Sequence, residues 1–295
     1  MKNDEIKIIT GENLSQSADF ELNDKTIDYE TSKNLSYADI ISLTKGLNII
    51  SEFYDVLGAA TVSPTGICAV SLGKDLTEAV TNVMDSNPID FLSSTIVLSN
   101  EVDSDLAKML KEAHIVCAPK FTKNATEYFE THDVCYVTIK TPLKDYKKYL
   151  SNQVIETPFG TLTQAPNLSE LDKESFKVVS KTKPTVEQIE DAVFAWKVAK
   201  YASSRAIVIA KDLKTTAIAQ GLQSASVEYA LDYSCDRSKE AILACDTEIS
   251  THDLNVAIQG RISLVIVPFA SKEVIAAADK YNISLITTGF TNILY

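Results

Sequence analysis

Trp196-Lys197-Val198-Ala199-Lys200-Tyr201-Ala202-Ser203-Ser204-Arg205-Ala206-Ile207-Val208-Ile209-Ala210-Lys211 passes from a helical to an extended pattern within a few residues. Upstream, Lys183-Pro184-Thr185-Val186-Glu187 starts a long helix. Thr185 fits the N-cap, and Gln188 three residues on completes a capping box. The helix runs through Trp196 to about Tyr201. Ala206–Ala210 is short, wholly apolar and rich in β-branched residues, so it reads as a strand buried on both faces. Thr216–Ala219 fits as its hairpin partner. A helix feeding a doubly covered strand points to a layered α/β fold.

The same style extends both ways. Toward the C-terminus, Ser224–Leu231, Leu254–Ile258 and Lys272–Tyr281 read as helices, and Leu264–Val267 and Ser284–Thr287 as strands. Toward the N-terminus, Asp39–Phe53 is an amphipathic helix with Ile40, Leu43, Leu47 and Ile50 on one face. Strands Gly58–Val62 and Ile67–Leu72 flank the turn Ser63-Pro64-Thr65-Gly66. Helix Leu76–Met84, strand Thr95–Leu98, helix Asp103–Ala113 and strand His114–Ala118 follow, the last stopped by Pro119. The pattern weakens from about Thr141 to Lys173, where Pro158, Gly160 and Pro166 interrupt it. This predicts an α/β protein of two units, 1–165 and 166–295, joined by a connector at about 141–173. Each unit is expected to have its own mixed sheet between helices, with no sheet shared by both halves. No repeat of fixed period and no low-complexity tract is present.

Composition narrows the function. The chain has 295 residues, 45% of them hydrophobic, enough for a sizeable core. A net charge of -12 leaves no excess of cations to neutralise phosphates, which argues against nucleic acid and anionic membranes as partners. No apolar run reaches the roughly 20 residues of a membrane helix, and Met1–Ile9 has no signal-peptide core. Cys68, Cys117, Cys135, Cys235 and Cys245 are scattered and read as reduced thiols of a cytoplasmic protein. The three histidines have no metal-ligand spacing, so no metal is expected. Dinucleotide, P-loop, nucleophile-elbow and zinc-protease motifs are missing.

Four stretches in order carry a resemblance. Trp196–Lys200 with Ala206–Lys211 is similar to W-K-V-A-K…N-A-I-V-x-A-K of bacterial AICAR transformylase, the formyltransferase half of the enzyme that also carries IMP cyclohydrolase. Glu273-Val274-Ile275-Ala276-Ala277-Ala278-Asp279, with Ile283 and Thr288-Gly289, resembles E-V-I-A-A-A-D-E-H-G-I…T-G. Gly11-Glu12-Asn13 with Gln16 resembles R-Y-G-E-N-x-H-Q, and Leu35-Ser36-Tyr37 resembles L-S-Y-N-N. The resemblance covers residues 6–295, without the cyclohydrolase half. It implies two cytidine-deaminase-like three-layer α/β/α units with mixed sheets, and a homodimer whose sites form across the interface. It also implies transfer of formyl from 10-formyltetrahydrofolate, as cosubstrate, to the amine of AICAR ribonucleotide.

In that family a Lys-His pair in V-K-H-x-N-P-C-G handles the weakly nucleophilic amine, its proton and the oxyanion. The matching stretch here is Val62-Ser63-Pro64-Thr65-Gly66-Ile67-Cys68-Ala69, in register without a gap. Ser63 stands for the lysine, Pro64 for the histidine, Gly66 for the asparagine and Ile67 for the proline. Losing a general acid–base group costs about 10²–10⁴ in rate, and losing an oxyanion donor about 10²–10³. Other positions drift too. Arg205 replaces an asparagine, Leu92-Ser93-Ser94 a Phe-Gly-Gly, His114 an acid, and Ile9 the arginine of R-Y-G-E-N. G-x-G-A-G-Q-x-S-R becomes Ala217-Ile218-Ala219-Gln220-Gly221-Leu222-Gln223-Ser224-Ala225, S-D-A-F-F-P-F survives as Cys245-Asp246, and R-H-F-x-H becomes Thr291–Tyr295.

The positions carried over as substrate-binding are Ser63, Thr65, Gly66, Ser93, Ser94, His114, Arg205, Lys211, Gly221 and Asp246, with no catalytic residue retained. Read alone, Trp196 is a core residue, Lys197 and Lys200 a solvated helix face, and His114 a structural or surface histidine. Arg205 beside Ser203 and Ser204 reads as a surface ion pair or a small anion pocket. Glu187, Glu190 and Asp191 complement the helix dipole. These residues imply a retained fold with impaired chemistry: a pseudoenzyme with a binding or regulatory role and a purine-nucleotide or folate ligand. The alternative is an active formyltransferase with a rearranged site using Arg205, His114 or Lys211.

Overall fold

Ser36 opens helix α1 (Tyr37–Ser51) with a capping box. Its hydroxyl accepts from the Asp39 N–H at 3.2 Å, and the Asp39 carboxylate accepts from the Ser36 N–H at 2.8 Å. The same device opens α6 (Val186–Ala199), where Thr185 and Gln188 cap each other as the sequence predicts. The computed structural model describes residues 6–171, 176–221 and 225–295. The start expected at Ser224 for the next helix lies outside them, and that helix, α7, runs Ser226–Ser234.

The strands, in chain order, are β1 (Tyr29–Thr31), β2 (Gly58–Ser63), β3 (Gly66–Leu72), β4 (Thr95–Leu98), β5 (Ile115–Ala118), β6 (Cys135–Ile139), β7 (Gln153–Thr157), β8 (Gly160–Gln164), β9 (Lys177–Val178), β10 (Ile207–Lys211), β11 (Lys214–Ala219), β12 (Ile242–Cys245), β13 (Leu264–Val267) and β14 (Ser284–Thr287). The remaining α-helices are α2 (Leu76–Ser86), α3 (Pro88–Phe91), α4 (Ser104–Met109), α5 (Lys123–Thr131), α8 (Thr251–Gln259) and α9 (Lys272–Tyr281). The α/β expectation holds, with helices on both faces of a mixed sheet.

The expectation of separate sheets does not hold. Among the described residues, twelve strands form one sheet in the order β1-β6-β5-β4-β2-β3-β11-β10-β12-β13-β14-β9. Its two halves mirror each other. Each runs edge strand, helix, antiparallel hairpin, then three strand–helix alternations, with parallel pairing among the last three strands. A duplicated fold is present without a sequence repeat of fixed period. The halves join where β3 meets β11 antiparallel at Ser71 and Lys214, reinforced by the Leu72 N–H donating to the Leu213 carbonyl at 2.9 Å. Farther along, Thr215 Oγ1 accepts from the Val70 N–H at 3.0 Å and donates to the Val70 carbonyl at 3.2 Å. A side chain thus continues the ladder between the two halves. The sheet is shared because both outermost hairpin strands leave backbone groups that need partners.

On one face α1 and α6 cover a core common to both halves, with Val62, Val97, Trp196, Val208 and Ile266 in it. On the other face each half keeps its own core: Val80, Leu106 and Phe129 in the first, Val227, Leu254 and Val274 in the second. Trp196 is core as expected, edge-on to Phe290 at 5.9 Å between ring centroids. Between the halves, β7 and β8 form a separate exposed hairpin within the expected connector, with Phe159 fully exposed at its tip.

Three sequence expectations are corrected. Lys200 is buried, not solvated. It is the C-cap of α6, and it pairs with Glu52, the C-cap of α1, at 2.9 Å. Lys197 donates to the Glu52 carbonyl at 2.8 Å. Asp191 is buried and accepts from the Asp212 and Leu213 N–H groups at 3.0 and 2.7 Å. It anchors the β10–β11 turn, whose two residues both have positive φ, rather than the helix dipole.

Candidate functional site

Strand register places most of the carried-over residues along one rim of the sheet. Val62 near the end of β2 pairs with Thr95 at the start of β4, and Thr95 with Ile115 at the start of β5. Ser63 pairs with Gly66 at the start of β3. Across the junction, Ile67 is bonded to Gln220 just past β11, and the end of β11 pairs with Ile207 at the start of β10. Ile207 also pairs with Cys245 at the end of β12. Ser63, Thr65, Gly66, Ser93, Ser94, His114, Arg205, Gly221 and Asp246 therefore share a rim. Lys211 does not. It ends β10 beside Lys214, which pairs with Ser71 on the opposite rim. There Lys211 donates to the Lys239 carbonyl at 3.1 Å and pairs with Glu240 at 3.4 Å.

The β2–β3 turn is held by its own hydroxyls. Ser63 Oγ and Thr65 Oγ1 share a hydrogen bond of 2.8 Å, and Ser63 also donates to the Gly66 carbonyl at 3.5 Å. Gly66 is buried while Pro64 and Thr65 are exposed. Burial pushes the neighbouring Cys68 thiol up to about 11, with Asp90 adding to the rise and a Ser63 hydrogen bond opposing it. That thiol stays protonated near neutral pH and is no nucleophile. Ser94 is buried and spends its hydroxyl on the Phe91 carbonyl at 3.2 Å, closing the turn after α3. Ser93 is exposed beside it.

His114 sits just before β5 on the surface, as the residue-level reading expects. Its Nε2 lies 2.8 Å from Asp39 Oδ1, and its N–H donates to the Ser94 carbonyl at 3.1 Å. Asp39, which caps α1 with its other oxygen, is a partner of His114 on this rim that the sequence reading misses. The Ser36-x-x-Asp39 spacing marks a cap, but no local pattern marks a partner 75 residues away.

In the second half, Asp246 is fully buried. Burial raises its pKa, and hydrogen bonds from Ser204 and from the Ala206 N–H pull the other way. Arg205 donates to Thr247 Oγ1 at 3.3 Å and to the Glu248 carbonyl at 3.2 Å. Gly221, with φ of +70°, donates its N–H to the Ser203 carbonyl at 3.0 Å and turns the chain in a region that favours glycine. Residues 222–224 of the departed glycine-rich motif lie outside those described. The recess beside Arg205, lined by Ser226, Cys245 and Asp253, holds about 20 Å³, room for a single water. Larger cavities lie off the rim, among them one of about 400 Å³ lined by Leu231, Cys235 and Val256. Another of about 500 Å³ sits between the N-terminal segment and α1, lined by Phe20, Tyr29 and Leu43. A third, about 520 Å³, surrounds Lys211, Lys214 and Arg237 on the opposite rim.

The family model described as AICARFT/IMPCHase bienzyme matches residues 2–232. Among curated relatives, the bifunctional purine biosynthesis protein PurH of Caldicellulosiruptor saccharolyticus is 32% identical over 265 residues, covering 87% of this chain and 51% of its own length. PurH of Thermoanaerobacter sp. is 31% identical and PurH of Anoxybacillus flavithermus 29%, with the same 87% and 51% coverage. The chain spans about half the length of these curated relatives. Fold, motif order and these matches agree: the chain belongs to the AICARFT/IMPCHase bienzyme family.

Proposed function

We propose that this chain binds the ligands of the AICAR transformylase reaction, AICAR ribonucleotide and 10-formyltetrahydrofolate, and transfers formyl at a strongly reduced rate, as a binding or regulatory protein of cytoplasmic purine biosynthesis. The observation that carries this reading is the β2–β3 turn. The resemblance puts the proton-handling pair at positions 63 and 64. Here the Ser63 hydroxyl is engaged with Thr65, and Pro64 has no ionisable group. The family fold and the shared rim support retained binding.

One observation favours a second reading, an active enzyme with a rearranged site. His114 and Asp39 form a carboxylate–imidazole pair at 2.8 Å on the same rim, an arrangement suited to general base catalysis. Arg205 adds a cation there, whereas Lys211 drops out of this version because it lies on the far rim.

The deciding measurement is steady-state formyl transfer to AICAR ribonucleotide. The wild type is expected several orders of magnitude below a normal family member, since each lost role costs about two decades or more. Ser63→Lys with Pro64→His is expected to leave activity low, because Ile9, Arg205 and the loop after Asp246 remain changed. Normal wild-type turnover overturns the reading, and residual turnover abolished by His114→Ala supports the second one. The proposal includes a homodimer. Light scattering at micromolar concentration should return twice the chain mass, and a single-chain mass counts against it.

A further inference from the structure

At Gly66 the space that a side chain would enter is taken by another residue. Gly66 is not among the glycines with positive φ. A Cβ built on it would lie 2.4 Å from Gln220 Nε2 and 2.5 Å from both Cδ and Oε1. The carboxamide of Gln220, delivered from the other half of the sheet, fills the place where a side chain at 66 would begin. It is fixed there by both backbone groups of Ile67. Gln220 Nε2 donates to the Ile67 carbonyl at 2.9 Å, and the Ile67 N–H donates to Gln220 Oε1 at 3.4 Å.

Three departures from the family motif meet at this point. The motif has asparagine at 66, proline at 67 and alanine at 220, and this chain has Gly66, Ile67 and Gln220. A proline at 67 would have no N–H to give. An asparagine at 66 would have to push the Gln220 amide aside and break its two bonds to Ile67. The changes are complementary: one amide leaves β3, another arrives from β11, and Ile67 supplies the N–H that helps hold it. Gln220 is partly exposed. After its two bonds to Ile67 it keeps one amide hydrogen and one lone pair uncommitted among the described residues.

We propose that Gln220 is a specificity-determining residue of this site, presenting to a bound nucleotide the carboxamide that a side chain at 66 would otherwise present, and holding the Ser63–Gly66 turn in place. The ligand contact rests on the functional reading above; the exchange of places does not. Four proteins test both: wild type, Gly66→Asn, Gln220→Ala and the double variant. Both single changes break the same two bonds to Ile67, so their losses of Tm should not add, and the double variant should melt no lower than the worse single. Losses that add overturn the exchange.

Isothermal titration with AICAR ribonucleotide reads the contact. Gln220→Ala should weaken affinity about tenfold, the value of one hydrogen bond. The double variant, with its amide returned to 66, should recover to within about threefold of wild type. Gln220→Glu keeps the shape and the acceptor but loses the donor. It also loses the 2.9 Å bond to the Ile67 carbonyl, so it should lower Tm as well as weaken affinity; affinity that recovers in the double variant while its Tm stays below wild type is the result a purely structural role would not produce. Unchanged affinity in Gln220→Ala, or a double variant no better than that single, overturns the contact. No binding by the wild type overturns the functional reading and the contact with it, and the melting comparison still decides the exchange.

Discussion

Glu52 and Lys200 hold equivalent positions in the two halves, each ending the helix that precedes a central hairpin, and they meet as a buried ion pair. Tyr201 donates to Glu52 at 2.7 Å and Lys147 at 3.0 Å. Burial alone would raise the Glu52 pKa, but the Lys200 charge and these donors outweigh it and hold the carboxyl below its usual range. A carboxyl so depressed stabilises the fold above the ordinary value of about 4.3, and that contribution is lost as pH falls through the folded-state value. Glu52→Gln strands buried Lys200 without its counter-charge and should cost about 3–5 kcal/mol at neutral pH. In urea unfolding the gap between wild type and variant should narrow from pH 5 to pH 3; a constant gap would contradict the assignment. Sequence placed Lys200 on a wet helix face because its partner lies 148 residues earlier, beyond any periodicity. Lys211 lies apart from the other carried-over residues for a related reason. Motif position fixes its place on a strand but not which rim of the sheet that strand end reaches.

Elements were legible where burial imposes a pattern. Thr95–Leu98, Leu264–Val267, Lys272–Tyr281 and Ser284–Thr287 fall where the sequence puts them. The helix expected over Asp103–Ala113 ends at Met109, although Asp103 caps it. β12 is not legible because the five apolar residues between Glu240 and Asp246 do not distinguish a strand from a turn of buried helix. The β7–β8 hairpin is exposed on both faces, so it has no alternation to detect; Pro158 and Gly160, which mark its turn, read in the sequence as an interruption. Nothing local announces the β3–β11 junction, which depends on Thr215 standing in for backbone. Thr215→Val keeps the shape but leaves the buried Val70 N–H and carbonyl without this partner. It should lower stability by about 1–3 kcal/mol in chemical denaturation. A loss near zero would show that the ladder there closes without the hydroxyl.

At the scale of the molecule, the chain is two copies of one topology fused edge to edge, sharing one core on the α1/α6 face and keeping separate cores on the other. Arg237 strengthens the join. It donates to the Asp85 and Ser86 carbonyls at the end of α2 and to the Tyr233 and Ser234 carbonyls at the end of α7, so one guanidinium caps helices from both halves. The covalent link between the halves runs through the exposed hairpin, and the shared sheet does not depend on it. Chymotryptic cleavage after Phe159, fully exposed at the hairpin tip, should therefore nick the protein without parting it. Denaturing electrophoresis should show two fragments where size exclusion shows one particle of unchanged size. Fragments that separate on the column would show that the hairpin, not the sheet, keeps the halves together. With that outcome excluded, the two fragments expressed from separate genes should find each other and rebuild the fold, the behaviour of a natural split-protein pair.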